Sequence, residues 1–277
     1  MTNHKKIDIK AEDFLVIGHR GAKAYIPEET LSSFELAQSF NADYIEMDVH
    51  LTRDGHLITM HDDTLKRTTN VQDLYPNRSP WNIEDFTLEE IKKLDAGSWF
   101  NTENPIYAKS SYVDLKVPTL NEVLDTFGKS ANYYIETKSP QRYPGVEQKL
   151  IDVLNDHNML VNEERYTHGK VILQSFDEDS LKRLYNLNAN IALIKLGETT
   201  LDDERIEELK EYADGVGPNH KNIDEDFVQK ARENDLSVHP YTVNTREDME
   251  KLIDWGVTGM FTDKPDVLRQ VVEDSES

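Results

Sequence analysis

Two carboxylates separated by one residue occur in a run that is otherwise mainly apolar, Tyr44-Ile45-Glu46-Met47-Asp48-Val49-His50. In a β-strand successive side chains point to opposite faces, so Glu46 and Asp48 would share one face of this strand. A buried carboxylate is costly unless it is paired or bound to a metal. Two neighbouring acids on a buried strand therefore predict a bound cation.

A third acid, Glu136, occurs in a second β-type run at 133–138, where it shares a face with Lys138. With the first two acids it would make an all-oxygen site, which suits Ca²⁺ or Mg²⁺ with water and substrate completing the shell. The sequence does not distinguish the two ions, because their selectivity depends on geometry and ligand number. The alternative is a structural network in which the acids pair with Arg20 and Lys138.

Histidines stand at the ends of two further β-type runs. His19 and Arg20 follow the first run, and His61 ends the run 57–61. Phosphodiester cleavage needs one base and one acid, and imidazole titrates near the working pH for both tasks. A divalent ion and an arginine can neutralise charge on the phosphate oxygens. These residue types predict acid–base cleavage of a phosphodiester by His19 and His61.

The elements that must position these residues alternate along the whole chain. We predict strands near 14–18, 44–50, 131–137, 170–175, 191–196, 214–217, 237–243 and 259–262. Helices are predicted at 29–40, 119–127, 145–157, 177–187, 202–212, 224–234, 245–254 and 265–273. This pattern favours an α/β fold of the TIM type, a closed (β/α)8 barrel whose active site lies at the C-terminal ends of the strands. An open doubly wound sheet is the alternative.

One catalytic barrel domain is expected over residues 1–277, with an insertion after the second strand. The run 57–61 follows Asp54-Gly55 too closely for a crossover helix, and Asp-Gly favours a tight turn, so we predict a hairpin with the second strand. From about 62 to 118 the pattern loosens, apart from a short helical stretch at 87–94. A connection this long predicts a small insertion beside the barrel mouth.

The composition excludes several classes of partner. A net charge of −22 argues against nucleic acid, which is bound by clustered Lys and Arg. No run approaches the roughly 20 apolar residues that span a bilayer, and residues 1–10 are polar, so no stable membrane insertion is expected. The chain has no cysteine, which excludes disulfides, thiolate metal sites and a cysteine nucleophile. A small-molecule substrate is expected, and the oligomeric state is left open.

Two long segments, HRGAKAYIPEETLSSFELA and YIEMDVHLTRDGHLITMHDDTLKRTTN, closely resemble the glycerophosphodiester phosphodiesterase family. The hallmarks of that family are an H-R-G strand end, P-E-N-T, E-x-D and a later H-D. The later segments YYIETK, ILQSF, YTVN and MFTDKP are also similar, and together the matches cover about residues 14 to 266. The resemblance implies a TIM-type barrel that releases glycerol 3-phosphate from glycerophosphodiesters, by way of a cyclic phosphate formed by the neighbouring glycerol hydroxyl.

The same resemblance implies individual roles. It implies that His19 and His61 are the acid–base pair. It also implies that the metal is bound by Glu46, Asp48 and Glu136. It implies phosphate contacts from Arg20 and Lys138, an aromatic surface for the glycerol from Tyr241, and a place for Glu28 near the metal or beside His19. One divalent cation, Ca²⁺ or Mg²⁺, is the implied cofactor.

The chain departs from the family pattern at two positions. The P-E-N-T segment reads Pro27-Glu28-Glu29-Thr30, with Glu29 in place of asparagine, which we expect to alter only the fine hydrogen bonding at the helix start. The usual W-T-V-N reads Tyr241-Thr242-Val243-Asn244, which keeps an aromatic surface of different shape.

Gln174 and Lys195 stand at the ends of the fourth and fifth predicted strands. They are further candidates for substrate binding, with a local hydrogen bond or exposure to solvent as the alternative for each. The histidines that lack supporting neighbours in sequence are expected at the surface; these are His4, His56, His157, His168 and His220.

The stretch 68–71 with 74–78 looks like the insertion of the exported bacterial branch, which handles glycerophosphodiesters or glycerol-phosphate polymers of the wall. It predicts an extracellular or wall-associated mature protein, with the cytoplasm as the alternative. Two other functions stay open. A phospholipase C- or D-like enzyme should have apolar loops, whereas this insertion is rich in Asn, Asp, Lys and Pro. A non-catalytic binding barrel should have lost one of the two histidines, and both are present.

Overall fold

Eight parallel strands form a nearly closed barrel in the computed structural model, which describes residues 14–160 and 170–275. The predicted TIM-type fold is confirmed. The eight strands of the barrel are β1 (Leu15–Gly18), β2 (Tyr44–Leu51), β4 (Tyr133–Thr137), β5 (Val171–Ser175), β6 (Ala192–Leu196), β7 (Gly215–Gly217), β8 (Ser237–Val238) and β9 (Gly259–Thr262). The antiparallel strand β3 (Leu57–Thr59) pairs with β2 outside this order.

Helices connect the strands and cover the outside of the barrel. They are α1 (Leu31–Ser39), α5 (Leu120–Phe127), α6 (Val146–Asp156), α7 (Glu178–Leu187), α8 (Asp203–Lys210), α9 (Glu225–Glu233), α10 (Arg246–Asp254) and α11 (Pro265–Ser275). Three further short helices lie in the insertion, namely α2 (Val71–Leu74), α3 (Leu88–Ile91) and α4 (Ser98–Glu103). Within the described ranges, none of the helices has the length and apolar character that a bilayer crossing requires.

Several helices begin at residue types whose side chains cap free backbone N–H groups. The hydroxyl of Thr30 accepts a hydrogen bond from the backbone of Ser33, so α1 begins at Leu31. The carboxylate of Asp177 caps α7 in the same way. Each cap sets the residue at which its helix begins. The loops between the strands and these helices lie at the C-terminal ends of the strands, the face on which the site lies.

The side-chain alternation predicted for β2 is present. Ile45, Met47 and Val49 pack outward in the core between strands and helices. Tyr44 faces the barrel interior, where a second apolar cluster fills the lower part; its members are Leu15, Ile17, Tyr44, Tyr134, Ile172, Ala192, Ile194 and Phe261. The polar residues further along the same inner faces therefore lie above an apolar plug, at the C-terminal ends of the strands.

The barrel closes loosely between β8 and β9. The predicted strand 237–243 is shorter in the structure, where it spans Ser237–Val238. Pro240 has no backbone N–H and cannot continue a ladder. Closure instead uses single hydrogen bonds, including Thr258 N to Val238 O at 3.0 Å and Phe261 N to Pro240 O at 3.0 Å.

The predicted hairpin and insertion after β2 are also present. Strand β3 pairs antiparallel with the end of β2, with Val49 opposite Thr59 and Leu51 opposite Leu57. The predicted helical stretch 87–94 is shorter, because α3 spans Leu88–Ile91 behind a Thr87 capping box. The insertion packs around its own buried cluster, which is Ile58, Met60, Leu65, Val71, Ile83, Phe86, Ile91, Leu94, Ala96 and Val117. The insertion is thus anchored beside His61.

Candidate active site

A pocket at the C-terminal ends of the strands brings together most of the predicted site residues. The predicted residues that line it are His19, Arg20, Glu46, Asp48, His61, Glu136, Lys138, Gln174 and Tyr241. Glu28 and Lys195 are not among the lining residues. The residues come from strands β2, β4 and β5 and from the loops that follow β1, β3, β4 and β8, so the fold brings widely separated positions into one site.

Three carboxylates form the floor of this pocket. Glu46, Asp48 and Glu136 each place a carboxylate oxygen so that these atoms all lie within 4.8 Å of one another. They converge because Asp48 and Glu136 are in register on neighbouring strands. No amide, guanidinium, ammonium or alcohol group in the described part of the chain donates a hydrogen bond to either Oδ atom of the buried Asp48. Unsatisfied buried oxygens in a cluster of hard ligands fit a divalent cation.

Burial and mutual repulsion perturb the pKa values of these acids. Burial, followed by the nearby charge of Asp48, raises the pKa of Glu46 to about 8. The same two causes raise the pKa of Glu136 well above its ordinary value. Burial alone would raise the pKa of Asp48 too, but Lys138 and Arg20 lower it below its ordinary value. Without a cation the cluster therefore holds protons at neutral pH, and a cation would displace them.

Two cationic side chains flank the acids. Lys138 Nζ lies 3.1 Å from Glu136 Oε1 and 3.7 Å from Asp48 Oδ1. Arg20 Nε lies 3.4 Å from Asp48 Oδ2. The contacts of the ion-pair alternative are thus present, yet neither cation donates a hydrogen bond to the carboxylate oxygens of Asp48, which favours the cation site. Both side chains also reach the pocket, where they can contact an anionic substrate.

The two histidines each contact a carboxylate to which the sequence analysis assigned no role. His19 Nδ1 lies 2.7 Å from Asp263 Oδ1, and His61 Nδ1 lies 2.7 Å from Asp62 Oδ1. Asp62 is the next residue after His61, and Asp263 directly follows β9, so both occupy strand-end positions that could have been searched. Because an ionised carboxylate only accepts, each Nδ1 donates and each Nε2 can exchange a proton with a ligand.

The comparisons with known proteins agree with this geometry. The sequence profile of the Glycerophosphoryl diester phosphodiesterase family matches residues 19–267. The chain belongs to this family. A glycerophosphodiester phosphodiesterase of Bacillus subtilis is 48% identical over 267 residues, covering 95% of this chain and 88% of the relative. Another, from Caldanaerobacter subterraneus, is 37% identical and covers 93% of this chain and 97% of the relative.

A solved structure of the same fold family contains a reaction product. It is a phosphodiesterase of Oleispira antarctica in complex with sn-glycerol-3-phosphate. It is 25% identical to this chain, with a TM-score of 0.77, and the match covers 93% of this chain and 96% of that one. The barrel of the present chain therefore has the same architecture as a relative that binds sn-glycerol-3-phosphate.

The family's P-E-N-T segment behaves differently here from the expectation. Glu28 does not contact His19 and is not part of the three-acid cluster; it accepts hydrogen bonds from Arg20 Nη1 at 2.9 Å and from Arg67 Nη2 at 2.7 Å. Burial opposes ionisation of Glu28, but these cations lower its pKa to about 2. Glu28 therefore orients Arg20.

Glu29 occupies the position of the asparagine in the family's P-E-N-T segment, and its side chain makes contacts beyond the start of α1. Its Oε1 accepts a hydrogen bond from the backbone of Asp48 at 3.1 Å, and its Oε2 has no partner in the described ranges. Burial and the charges of Asp48 and Glu46 raise its pKa well above the ordinary value. The expectation that this substitution affects only the helix start was wrong, because α1 is capped by Thr30 and Glu29 faces the acid cluster.

For Lys195 the structure shows the local hydrogen bond that was the alternative to a place in the pocket. Ala192 and Ile194 face the interior of β6, and alternation turns Lys195 outward. Its Nζ donates to the backbone oxygen of Leu196 at 2.7 Å and lies 3.4 Å from Glu198. Gln174, in contrast, lies in the pocket and donates to Glu46 Oε1 at 3.1 Å, so it holds one of the three acids.

Apolar side chains also line the pocket. Phe176 and Tyr241 meet edge to face with their ring centroids 5.8 Å apart, and Leu196 lies beside them. The Phe176 ring packs over Gly197, where a Cβ would lie 3.1 Å from it. Phe176 was missed as a pocket residue because the segment ILQSF was matched to the family without a role for its phenylalanine. The available signal was an aromatic residue directly after β5.

The expectation for the remaining histidines holds in part. His56 is exposed and His157 is half-buried, but His220 is buried against the end of the barrel. His4 and His168 lie outside the described residues.

Proposed function

We propose that this chain hydrolyses glycerophosphodiesters to glycerol 3-phosphate and an alcohol, with one bound divalent cation and with His19 and His61 as the acid–base pair. The reaction class follows from family membership. The roles of the residues and the cation are proposed from one observation. Two histidines, each hydrogen-bonded to a carboxylate, line the same pocket as three clustered acids and two cationic side chains.

The three acids would hold the cation. Glu46 is already fixed from two sides, because it accepts hydrogen bonds from the Arg20 backbone at 2.8 Å and from Gln174. When bound, the cation would polarise a phosphate oxygen as a Lewis acid and offset negative charge in the transition state. Carboxylate ligands support Ca²⁺ or Mg²⁺, and titration of each ion into chelator-treated protein distinguishes them.

His19 is suited to the role of base. Burial lowers the pKa of His19, although Asp263 opposes the shift, so the imidazole is neutral at neutral pH. With Nδ1 donating to Asp263, the lone pair on Nε2 can accept a proton from the glycerol hydroxyl next to the phosphodiester. His61 lies nearer the mouth, with 31% of its side chain exposed, where it can protonate the departing alcohol.

The first step would then form a cyclic phosphate. The glycerol hydroxyl oxygen bonds to phosphorus while the bond to the alcohol oxygen breaks; His19 gains the hydroxyl proton and His61 gives one to the alcohol. In the second step water opens the ring, His61 takes a proton from water, and His19 returns its proton to the glycerol oxygen. The two histidines finish in their starting states, and Arg20 with Lys138 offsets the phosphate charge throughout.

Turnover of glycerophosphocholine and glycerophosphoethanolamine, followed by ³¹P NMR, tests this proposal. We expect release of glycerol 3-phosphate, loss on chelation, recovery with one of the two ions, and about 10²- to 10⁴-fold lower kcat in His19→Ala and in His61→Ala. A cyclic phosphate signal should accumulate under conditions that slow the second step. Absence of turnover across such diesters with either ion would contradict the proposal.

We propose further that the chain acts outside the cell membrane, on soluble diesters or on glycerol-phosphate wall polymers. The support is the similarity of its insertion to the exported branch and the open mouth of the pocket, at which Phe176 is 49% exposed. Cell fractionation of the native host, with purified wall polymer as substrate, tests both parts. Recovery in the cytosolic fraction, or inertness toward the polymer, would remove the corresponding part.

A further inference from the structure

Arg67, near the start of the insertion, contacts two carboxylates at once. It forms a two-point contact with Asp62, through Nε to Oδ2 at 2.8 Å and Nη2 to Oδ1 at 2.9 Å. It forms a second with Glu28, through Nη2 to Oε1 at 2.7 Å and Nη1 to Oε2 at 3.1 Å. Only the planar, forked guanidinium can hold two carboxylates in this way, because an ammonium group is a point charge without fixed directions.

Each of these carboxylates in turn holds a residue of the pocket. Asp62 accepts from His61 Nδ1, and Glu28 accepts from Arg20 Nη1. Arg67 itself does not line the pocket. Through these two carboxylates it connects His61, which follows β3, with Arg20, which follows β1. It does so without lining the pocket in which a substrate would lie.

Asp62 needs such an anchor. Its side chain is 29% exposed, whereas that of Glu28 is 4% exposed and belongs to the barrel. A half-exposed carboxylate beside a histidine can rotate into solvent unless a second partner holds it, and then the imidazole loses its fixed tautomer and direction. Arg67 ties this partly exposed carboxylate to a buried one.

We propose that Arg67 is a positioning residue that sets the orientation and tautomer of His61 through Asp62, using Glu28 as its fixed point in the barrel. This inference rests on the proposed role of His61 as the acid. Loss of Arg67 should therefore slow the reaction chiefly where the departing alcohol needs a proton, with less effect on the rest of the site.

Paired substrates test this role. Arg67→Gln should lower the single-turnover rate of alcohol release from glycerophosphocholine about 10- to 100-fold. It should lower the same rate much less for a glycerophosphodiester of p-nitrophenol, whose leaving group departs without protonation. Arg53→Gln is the matched control, because Arg53 is an exposed arginine beside the same insertion that contacts Asp85 O and Glu90; it should leave both rates unchanged. Equal losses for the two substrates in Arg67→Gln would overturn the proposal.

A readout independent of turnover separates this inference from the proposed function. In protein labelled with ¹⁵N at histidine, the neutral form of His61 should carry its proton mainly on Nδ1 in wild type and on either nitrogen in Arg67→Gln. An unchanged His61 spectrum would overturn the positioning role even if the enzyme is active. If wild type turns over no glycerophosphodiester, the proposed function fails, while the spectrum still decides the role of Arg67.

Two further variants guard against loss of folding. Arg67→Lys keeps the charge but cannot grip both carboxylates, so it should show the same substrate-dependent loss in a protein that melts near the wild-type temperature. Asp62→Asn combined with Arg67→Gln should lose little beyond either single variant, because both act through His61. Full rescue by lysine, or additive losses, would contradict the mechanism.

Discussion

His19 Nδ1 lies 2.7 Å from Asp263 Oδ1, and the other oxygen of the same carboxylate accepts a hydrogen bond from Asn244 Nδ2 at 2.8 Å. The carboxylate is thus fixed on both sides. Burial opposes its ionisation, but the hydrogen bond and charge of His19 lower the pKa of Asp263 to about 2, so it is ionised at neutral pH. The pair gives His19 one tautomer and one direction.

Asp263→Asn should therefore lower kcat about 10³-fold with little change in the melting temperature, since an amide can present its donor to Nδ1 and favour the wrong tautomer. Steady-state kinetics and a thermal melt check this. Asp266→Asn is the control, because Asp266 lies three residues further on and bonds only the Tyr25 hydroxyl among the contacts described. A variant Asp263→Asn that retains wild-type kcat would show that Asp263 does not set the tautomer of His19.

The acidic limb of the pH–rate profile should report His19. Burial lowers the pKa of His19 below 6.5, so the base stays unprotonated and kcat/KM should stay high until the pH falls below that value. Asp263 raises the pKa of His19, so its replacement by asparagine should move the limb to still lower pH. Profiles of the residual activity measure the shift, and a limb that moves upward would contradict the assignment.

Cation binding should release protons and strengthen with pH. The pKa of Glu46 is raised to about 8 and that of Glu136 is raised as well, so the cation-free native state keeps protons that the unfolded chain loses above about 4.5. The free energy of unfolding without a cation should therefore fall as the pH rises from about 4.5 to about 8. Calorimetry of Ca²⁺ or Mg²⁺ binding in buffers of different ionisation enthalpy should detect proton release between pH 6 and 8. Binding independent of both pH and buffer would refute the linkage.

Local patterns predicted much of the fold and the floor of the site. The alternation in β2 placed Glu46 and Asp48 on one face, because a strand has a strict period of two and the neighbouring residues are apolar. Lys195 was a candidate only by its position near a strand end, and it faces outward because it is one residue out of phase with Ala192 and Ile194. A single sequence cannot give that phase when both faces of a short buried strand are apolar.

Such local patterns could not predict contacts between residues that are far apart in the sequence. Asp263 lies 244 residues from His19 in sequence and meets it only because β9 is paired with β1. Arg67 bridges Asp62 and Glu28 through the path of an irregular insertion, for which no periodicity exists. Glu29 faces the acid cluster because its backbone is left-handed, with φ of 58°, which nothing in the residue type predicts.

The two lysines at strand ends give a matched pair of variants. Lys138→Met should lower kcat/KM about 10²-fold at saturating cation, because Lys138 lies in the pocket beside the position proposed for the phosphate. Lys195→Met should leave kcat/KM within about twofold and cost about 1 kcal/mol of stability through the lost hydrogen bond to Leu196. Kinetics and urea unfolding measure both. Similar kinetic losses in the two variants would mean that Lys195 reaches the substrate after all.

Glu29 offers a test of the acid cluster that does not depend on turnover. Its raised pKa means that the native protein keeps it protonated where the unfolded chain ionises it, so its contribution to the free energy of unfolding becomes more unfavourable as the pH rises above about 4.5. Glu29→Gln removes that proton linkage and keeps the oxygen that accepts from the Asp48 backbone. The variant should be equal to wild type near pH 4 and more stable by about 1 to 3 kcal/mol at pH 8 in the presence of chelator. Urea unfolding across this range measures the difference, with Glu35→Gln, at an exposed position of α1, as the control. A stability difference that does not grow with pH would mean that Glu29 is ionised in the fold and balanced by a cation or by Arg20.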